Sequence, residues 1–263
     1  MADYVVMPKS DYQNTCDSIR AKTGATELLK SGDLSTAIDS IQAGGGEVGK
    51  PYLDTSTITD FTRFSYAGRL SNAQLETIDT SSGTTFYEMF YSSSKLTTIP
   101  QLDTSNGTQF SHMFSGCRLI TTIPQLDTSN GTGFIGMFQN CVKLTTIPQL
   151  NTSNGTQFNS MFSGCSKLTT IPQLDTSNGV NFSSMFSNCS ALTTISFTQE
   201  CIKASISFSG SPLLSDASIQ SIVDGLADLT SSTAQTLTLH ADVKAKLTEE
   251  QTAAVTAKNW TIA

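Results

Sequence analysis

The sequence predicts a mixed α/β fold, namely a solenoid of 24-residue coils that each contain a short parallel strand and a short helix. The first observation is a repeated stretch. TTIPQLDTSNGTQF begins at Thr97 and returns with few changes at Thr121, Thr145 and Thr169. The second is that prolines, glycines, cysteines and Met-Phe pairs keep the same step, which leaves no room for loop insertions. A constant step of about 20–30 residues is typical of stacked repeats.

Each coil predicts a short helix after its turn. The apolar residues of this segment follow one another at i, i+3, i+4 and i+7, which is the spacing of one helix face. In one coil these residues are Phe110, Met113, Phe114 and Cys117. Thr108 or a neighbour is the predicted N-cap.

The segment before the turn predicts a short parallel strand. Its inward positions are apolar, as in Ile120, Ile123 and Leu126, and β-branched threonines lie between them. Stacked coils would place equivalent strands about 4.8 Å apart. Because proline has no amide hydrogen, Pro124 and its equivalents predict that strand pairing ends at the isoleucine before them.

The Asp-Thr-Ser-Asn-Gly stretch predicts a turn, in which Asp and Asn bond local backbone groups and Gly takes a positive φ. Calcium bound between coils by Asp103, Asp127 and Asp175 is the alternative. The third coil has Asn151 instead, which keeps the acceptor and drops the charge, and this favours the turn. The turn asparagines predict a ladder that bonds adjacent backbones: Asn106, Asn130, Asn154 and Asn178.

The cysteines allow two interpretations. One is a metal or disulfide ladder, and the other is a column of small buried residues. The chain has no CxxC pair, and Ser93 stands where the next four coils have Cys117, Cys141, Cys165 and Cys189. The buried column is therefore favoured, with Cys16 and Cys201 outside it.

Composition and motifs argue against several classes of function. The net charge of −7 disfavours nucleic acid and anionic membranes as partners. No stretch of 18 apolar residues, secretory signal or sorting tail is visible, so we expect synthesis in a cytoplasm without secretion. The two histidines, His112 and His240, join no catalytic motif, and His112 is predicted at the surface. The sequence predicts no enzyme, no cofactor and no metal site.

The chain divides into four predicted regions. Residues 1–43 form a small helical module for attachment or oligomerisation, and residues 44–51 form a Gly-rich linker. A plain N-terminal cap is the alternative for the module, but the triglycine argues against it. The solenoid covers 52–212, and 213–263 form an α/β cap that closes the sheet edge.

The cap has its own predicted order. A helix from Ala217 to Leu229 precedes a strand over 236–240, a second helix through Val243 and Val255, and a last strand at 260–262.

Two outward rows of the repeats are the candidate binding sites. They carry Thr and Gln at equivalent positions and would suit a repetitive polymer such as a cell-wall glycan. Recent duplication of the repeat explains the uniformity equally well. The more variable positions are predicted on the helix side, at 109, 111 and 112 and their equivalents. The two rows consist of Thr98, Gln101, Thr122, Gln125, Thr146, Gln149, Thr170 and Gln173.

The pattern L-x-x-I-x-x-L-D-T-S-N followed by F-x-x-M-F-x-x-C resembles BspA-type leucine-rich repeats from Leu53 to Ile195. Such repeats occur in surface proteins of gut bacteria and mycoplasmas and in phages of Firmicutes. The C-terminal segment is similar to that of many phage and prophage members. The opening segment resembles those of virion proteins of the tail-fibre or head-fibre kind. The missing signal and anchor favour the phage branch.

The resemblance implies a leucine-rich-repeat solenoid used for adhesion, with no catalytic residues to carry over. We expect a non-enzymatic fibre or decoration protein located in the virion. Its N-terminal module would bind other virion proteins, and its solenoid would contact a glycan or protein of the host cell surface. A homo-oligomer is expected, and a trimer would suit a fibre by analogy. The alternatives are a purely structural capsid or tail component and a bacterial cell-surface adhesin.

Overall fold

The computed structural model describes residues 55–56, 58–65, 68, 70, 72–76 and 78–263. The predicted N-terminal module, the linker and the start of the predicted solenoid lie outside these residues. The described part is mixed α/β, with short parallel strands and few helices. Its elements are α1 (Asn72–Leu75), β1 (Thr170–Leu174), β2 (Thr194–Phe197), β3 (Ile206–Phe208), α2 (Asp216–Gly225), β4 (Gln235–Leu239), α3 (Ala241–Lys244), α4 (Glu249–Ala257) and β5 (Trp260–Ile262). Across these described residues, no helix has the length and apolar character needed to cross a membrane.

Equivalent residues of successive repeats lie side by side. One line of parallel bridges joins Gln109 to Gly133, Gly133 to Gln157 and Gln157 to Asn181. A second line includes the parallel pair β1 and β2. The step of each pairing is one sequence repeat, as the strict period predicts.

The register between β1 and β2 is interrupted at the proline. Thr170 pairs with Thr194 and Ile171 pairs with Ile195. The register then shifts before the next pair, Leu174 with Phe197. The one-to-one pairing therefore ends at the isoleucine before Pro172, as expected from the missing amide hydrogen. The strand itself continues through the proline, which the sequence analysis did not predict.

The predicted helix in each repeat is wrong. The segment from Phe110 to Cys117 forms successive turns, because His112 (φ 57°) and Gly116 (φ 77°) adopt the left-handed conformation. Successive backbone amides then donate alternately to their own repeat and to the next one. Met113 N donates to Phe110 O of the same repeat, whereas Phe114 N donates to Met137 O of the next one. Every second amide thus bonds two repeats together.

The core between the repeats contains two columns of stacked phenylalanine rings. Adjacent rings of the repeats lie 5.6–5.9 Å apart between centroids and are nearly parallel. All of these rings are buried. The stack removes apolar surface from water at every step and thereby stabilises the inter-repeat packing. The first column is Phe61, Phe86, Phe110, Phe134, Phe158 and Phe182, and the second is Phe90, Phe114, Phe138, Phe162 and Phe186.

The C-terminal region continues from the last repeat. Its parallel sheet has the order β3-β4-β5, and Phe208 of β3 stacks on Phe186 with centroids 4.6 Å apart. Helix α2 ends at Gly225, earlier than predicted, because the backbone of Leu226 is extended. The predicted second helix is divided into α3 and α4, and Thr248 begins α4 with a capping box. The predicted last strand is confirmed as β5.

Candidate functional site

The Thr and Gln rows lie at the surface, as predicted. Thr98, Thr122 and Thr146 are exposed, and Thr170 is half-buried in β1. All four glutamines of the second row, Gln101, Gln125, Gln149 and Gln173, are exposed as well. The structure thus places both rows where a partner could contact them.

The glutamine side chains also bond the repeats to each other. Gln125 Nε2 donates to the backbone oxygen of Gln149, 2.8 Å away, and to Leu126 O at 3.1 Å. Gln101 and Gln149 repeat both bonds, and Gln173 donates to Phe197 O. Carbonyl oxygens accept and never donate, so the amide nitrogen must point toward them.

This arrangement sets the chemistry of the exposed row. The NH2 groups are occupied, and the amide oxygens of Gln101, Gln125 and Gln149 have no donor among the described residues. The surface therefore presents hydrogen-bond acceptors at one position per repeat. Sequence reasoning found the row but missed this polarity, because the sequence does not say which end of the amide bonds the neighbouring repeat.

The two threonines at the start of each repeat differ in their roles. Thr145 and Thr169 donate their hydroxyls to the backbone oxygen of the equivalent threonine one repeat earlier. In the candidate row, the hydroxyls of Thr98 and Thr122 have no hydrogen-bond partner among the described residues. The hydroxyl of Thr146 makes only a long bond, to Ile147 O at 3.4 Å. The row predicted to bind is thus the less constrained of the two.

The aspartates act in the turns. Oδ1 of Asp103 accepts from Ser105 N at 3.0 Å, and Asp127 accepts from Ser129 N at 2.9 Å. Asn151 accepts from Ser153 N in the same way. These bonds confirm the turn interpretation, and those from Ser129 lower the pKa of Asp127. No three potential ligand residues in the described part of the chain are grouped as a metal site would need.

Asparagine and threonine form two further ladders between repeats. The predicted asparagine ladder is confirmed, since Asn130 Nδ2 donates to Ser105 O and Asn154 Nδ2 to Ser129 O, both at 2.8 Å. The threonine of each turn is buried, and Thr128 Oγ1 donates to Asn151 O at 2.8 Å. This second ladder was not predicted from the sequence.

The turn glycines serve a purpose other than the predicted positive φ. Gly107 and its equivalents are absent from the left-handed region. A Cβ at Gly107 would lie 2.6 Å from Cζ of Phe110. Glycine is therefore needed because a stacked phenylalanine ring covers it. The predicted capping role of Thr108 is also wrong, since Thr108 begins no helix and donates to Thr84 O.

The cysteine column is buried, as predicted. Cys117, Cys141, Cys165 and Cys189 are free thiols, and each Sγ donates to a phenylalanine oxygen one repeat earlier, at 3.0–3.2 Å. Ser93 donates its hydroxyl to the backbone oxygen of Ser65 instead. Burial raises the pKa of Cys117 to about 12 and also raises that of Cys141.

We expect the five described cysteines to react with a thiol reagent only after unfolding. Burial blocks access, and a raised pKa leaves almost no thiolate at pH 8. The Cys16→Ser variant removes the one remaining thiol, so that its absorbance with Ellman's reagent should rise only in denaturant. Rapid reaction of any thiol in buffer would contradict the buried column.

The environment of His112 differs from the prediction of a surface residue. Its ring is half-buried, and its Nδ1 is buried without a hydrogen-bond partner. Tyr87 and Tyr91 approach the ring edge-on, with centroids 6.2 and 6.3 Å away. A Cβ at Gly136 would lie 2.5 Å from Nδ1, so the ring packs against this glycine. Burial lowers the pKa of His112, partly offset by Glu88.

Protonation of His112 is expected to destabilise the fold. In the unfolded chain its pKa is near 6.5, and in the folded protein it is lower. The stability that neutral His112 contributes is therefore fully present above about pH 6.5. It is lost as the pH drops toward the pKa of His112 in the folded protein. Urea unfolding midpoints at pH 7.5, 6.5 and 5.5 measure this. The His112→Asn variant, in which asparagine tolerates the positive φ, should lose less stability over that range. Equal losses in both proteins would contradict the assignment.

The other predicted variable positions are only partly at the surface. Ser111 and Gly133 are buried, whereas Gln109 is exposed and donates to Thr132 Oγ1 at 3.0 Å. Near the first repeats, Arg63 forms an ion pair with Glu88, whose side chain is largely buried. The pKa of Tyr87 is raised, chiefly by its hydrogen bond to Glu88.

Comparison with known families gives one match. The family described as "Mycoplasma protein of unknown function, DUF285" matches residues 34–144 and 118–201. Together these segments cover more than half of the chain. No curated protein and no solved structure matches. The chain therefore belongs to the DUF285 family and is a BspA-like repeat protein.

Proposed function

We propose that the chain is a non-enzymatic fibre or decoration protein of a phage virion that adheres to the host surface. In this proposal the repeats form a leucine-rich-repeat solenoid with 24-residue coils. The N-terminal module binds other virion proteins, the assembly is a homo-oligomer, and the solenoid contacts a glycan or protein of the host. The resemblance of the two chain ends to phage proteins supports the virion location.

One observation carries the adhesive role. The exposed Gln row presents amide oxygens once per repeat, beside exposed threonine hydroxyls. A regular line of acceptors is suited to a polymer that offers donors at regular intervals, such as the hydroxyl groups of a cell-wall glycan. Stacked strands would repeat these groups about every 4.8 Å.

The use of polar side chains supports a non-enzymatic role. Asparagine, threonine, cysteine and glutamine side chains of the repeats bond one repeat to the next. The aspartates bond their own turns. The polar side chains of the repeats are therefore used in hydrogen bonds that hold the repeats together.

A double variant of the threonine row tests adhesion. In Thr98→Lys/Thr146→Lys, two exposed hydroxyls become ammonium groups that only donate and that compete with the polymer's hydroxyls for the amide oxygens, and we expect saturable binding to host cells to fall at least tenfold. Thr230→Lys/Ser232→Lys adds the same charge at exposed C-terminal positions and should bind normally. No saturable binding by the unchanged protein would favour the purely structural virion role.

Particle composition tests the location. Immunogold labelling of purified virions should place the protein on their surface. The second candidate, a bacterial cell-surface adhesin, is favoured by the description of the matching family as a Mycoplasma protein. Label on the cell envelope and none on particles would support that candidate instead.

A further inference from the structure

One line of pairing between successive repeats stops at the last repeat. The line of bridges that runs through Gln109, Gly133 and Gln157 reaches Asn181. Within the described residues, no bridge carries this line beyond Asn181. The segment about one repeat later instead forms β3, which pairs with β4. Strand β3 is an edge strand of the C-terminal sheet.

Backbone groups that are bonded in every earlier repeat lack partners at this point. Phe158 N donates to Asn181 O at 3.0 Å, and Ser160 N donates to Ser183 O at 2.9 Å. The equivalent amides one repeat later belong to Phe182 and Ser184. Neither donates to an acceptor among the described residues.

The matching acceptor is unpaired as well. Thr156 O accepts from Val180 N at 2.9 Å, and Thr132 O accepts from Thr156 N at 3.1 Å. In the part of the chain that the structure describes, Val180 O accepts from no amide. Between Val180 and Ser184 the edge therefore keeps two donors and one acceptor with the spacing that the repeats use among themselves. The next two amides of the series, Phe186 N and Asn188 N, also donate to no described residue, and Gly210 lies against Asn188.

These groups border a cleft of about 390 Å³ between the last repeat and the C-terminal sheet. We call it the end cleft. None of the side chains that line it carries a charge, and several are hydroxyls. Its walls include Val180, Phe182 and Ser184 on one side and Ile206, Ser207 and Thr236 on the other.

The sequence of the last repeat differs at this cleft. Three earlier repeats have Thr108, Thr132 and Thr156 where the last has Val180. These threonines donate their hydroxyls to the preceding repeat, whereas the Val180 side chain is 65% exposed. An apolar side chain thus replaces a hydroxyl where the edge is free.

We infer that the end cleft binds an extended peptide segment of a partner protein, which pairs with the edge at Val180–Ser184. The inference follows from continuity with the inter-repeat pairing, because the same groups in earlier repeats meet the backbone of the next repeat. Peptide carbonyls satisfy Phe182 N and Ser184 N, and a peptide amide satisfies Val180 O. Val180 selects an apolar side chain, and the uncharged walls select a neutral segment. This interaction is independent of the outward Thr and Gln rows.

The test uses the full-length protein and a capped synthetic peptide, Asn-Gly-Val-Asn-Phe-Ser-Ser, which copies residues 178–184 and places an apolar valine beside Val180. In amide NMR spectra we expect saturable shifts at Phe182 and Ser184 and slower hydrogen exchange of both amides. Val180→Asp should weaken binding at least tenfold. Thr132→Asp, an exposed change two repeats away, should leave it unchanged. Val180→Thr keeps the backbone groups and should lower the affinity for the peptide only severalfold.

Three results would overturn the inference. The first is no shift at Phe182 and Ser184 with millimolar peptide. The second is equal binding by the Val180→Asp variant, provided that its spectrum shows a folded protein. The third is that a neutral oligosaccharide such as maltohexaose shifts these amides and the peptide does not, which would make the cleft a glycan site.

Discussion

Replacement of Phe134 by alanine is expected to lower the free energy of unfolding by about 3–5 kcal/mol. The ring is fully buried between Phe110 and Phe158, with centroids 5.9 and 5.6 Å away. Its loss removes apolar burial and two stacked contacts, and neighbouring repeats cannot close the gap without breaking their hydrogen bonds. Urea unfolding of the full-length variant measures the change.

The matched control is Val180→Ala, which removes apolar atoms from an exposed side chain. It should change stability by about 0.5 kcal/mol or less. If Phe134→Ala behaved like this control, the phenylalanine column would not stabilise the repeats.

A methyl group at Gly155 is expected to destabilise the protein by about 1–3 kcal/mol. The added Cβ would lie 2.4 Å from Cζ of Phe158 and 2.9 Å from Cδ2 of Phe134. Gly→Ala stabilises proteins by about 0.4–1 kcal/mol where the backbone and the space allow it. Because a positive φ would also make this change unfavourable, the sign alone does not separate the two explanations of the turn glycine.

A double-mutant cycle makes the cause explicit. Phe158→Leu removes the atom nearest to the new methyl group, so that Gly155→Ala should cost less in the Phe158→Leu background than in the unchanged protein. Stabilisation by Gly155→Ala alone would show that the ring does not restrict this position.

Much of the inward pattern could be predicted from the sequence. The strict period places each residue beside its own equivalent, and the prediction that Ile, Leu, Phe, Met and Cys lie inside holds in the described repeats. The asparagine ladder and the aspartate turns followed from residue chemistry. The C-terminal strands followed from alternating apolar residues, although the strand predicted over 236–240 lies at 235–239 in the structure.

The local backbone could not be predicted from apolar spacing alone. Phe110, Met113, Phe114 and Cys117 have helical spacing, yet two residues between them take a positive φ. The sequence does contain a signal of this positive φ. The position of Gly116 is occupied in the later repeats by Asn140, Gly164 and Asn188, and both Gly and Asn tolerate a positive φ. The spacing of turns stacked by hydrogen bonds happens to match that of one helix face.

The candidate site was predictable in position and not in chemistry. Period and polarity located the Gln row, but only the hydrogen bonds to Gln149 O and Leu126 O show that Gln125 turns its amide oxygen outward. The environment of His112 depended on Gly136 one repeat later and on Tyr87 one repeat earlier. Such contacts arise between repeats and leave no trace in the pattern of a single repeat.

The most direct test of the proposed solenoid is deletion of one whole repeat, residues 121–144. Gln101 would then meet Gln149, and Phe110 would meet Phe158, so the inter-repeat ladders would be restored with equivalent partners. The variant also carries Ser160→Gly, because the His112 ring needs a glycine beside it. We predict that this variant unfolds cooperatively in urea and gives dispersed NMR spectra, with a shorter particle in solution scattering. Deletion of half a repeat, residues 121–132, should abolish the folded spectrum of the repeats. Loss of cooperative unfolding after the whole-repeat deletion, or equal tolerance of both deletions, would contradict the account.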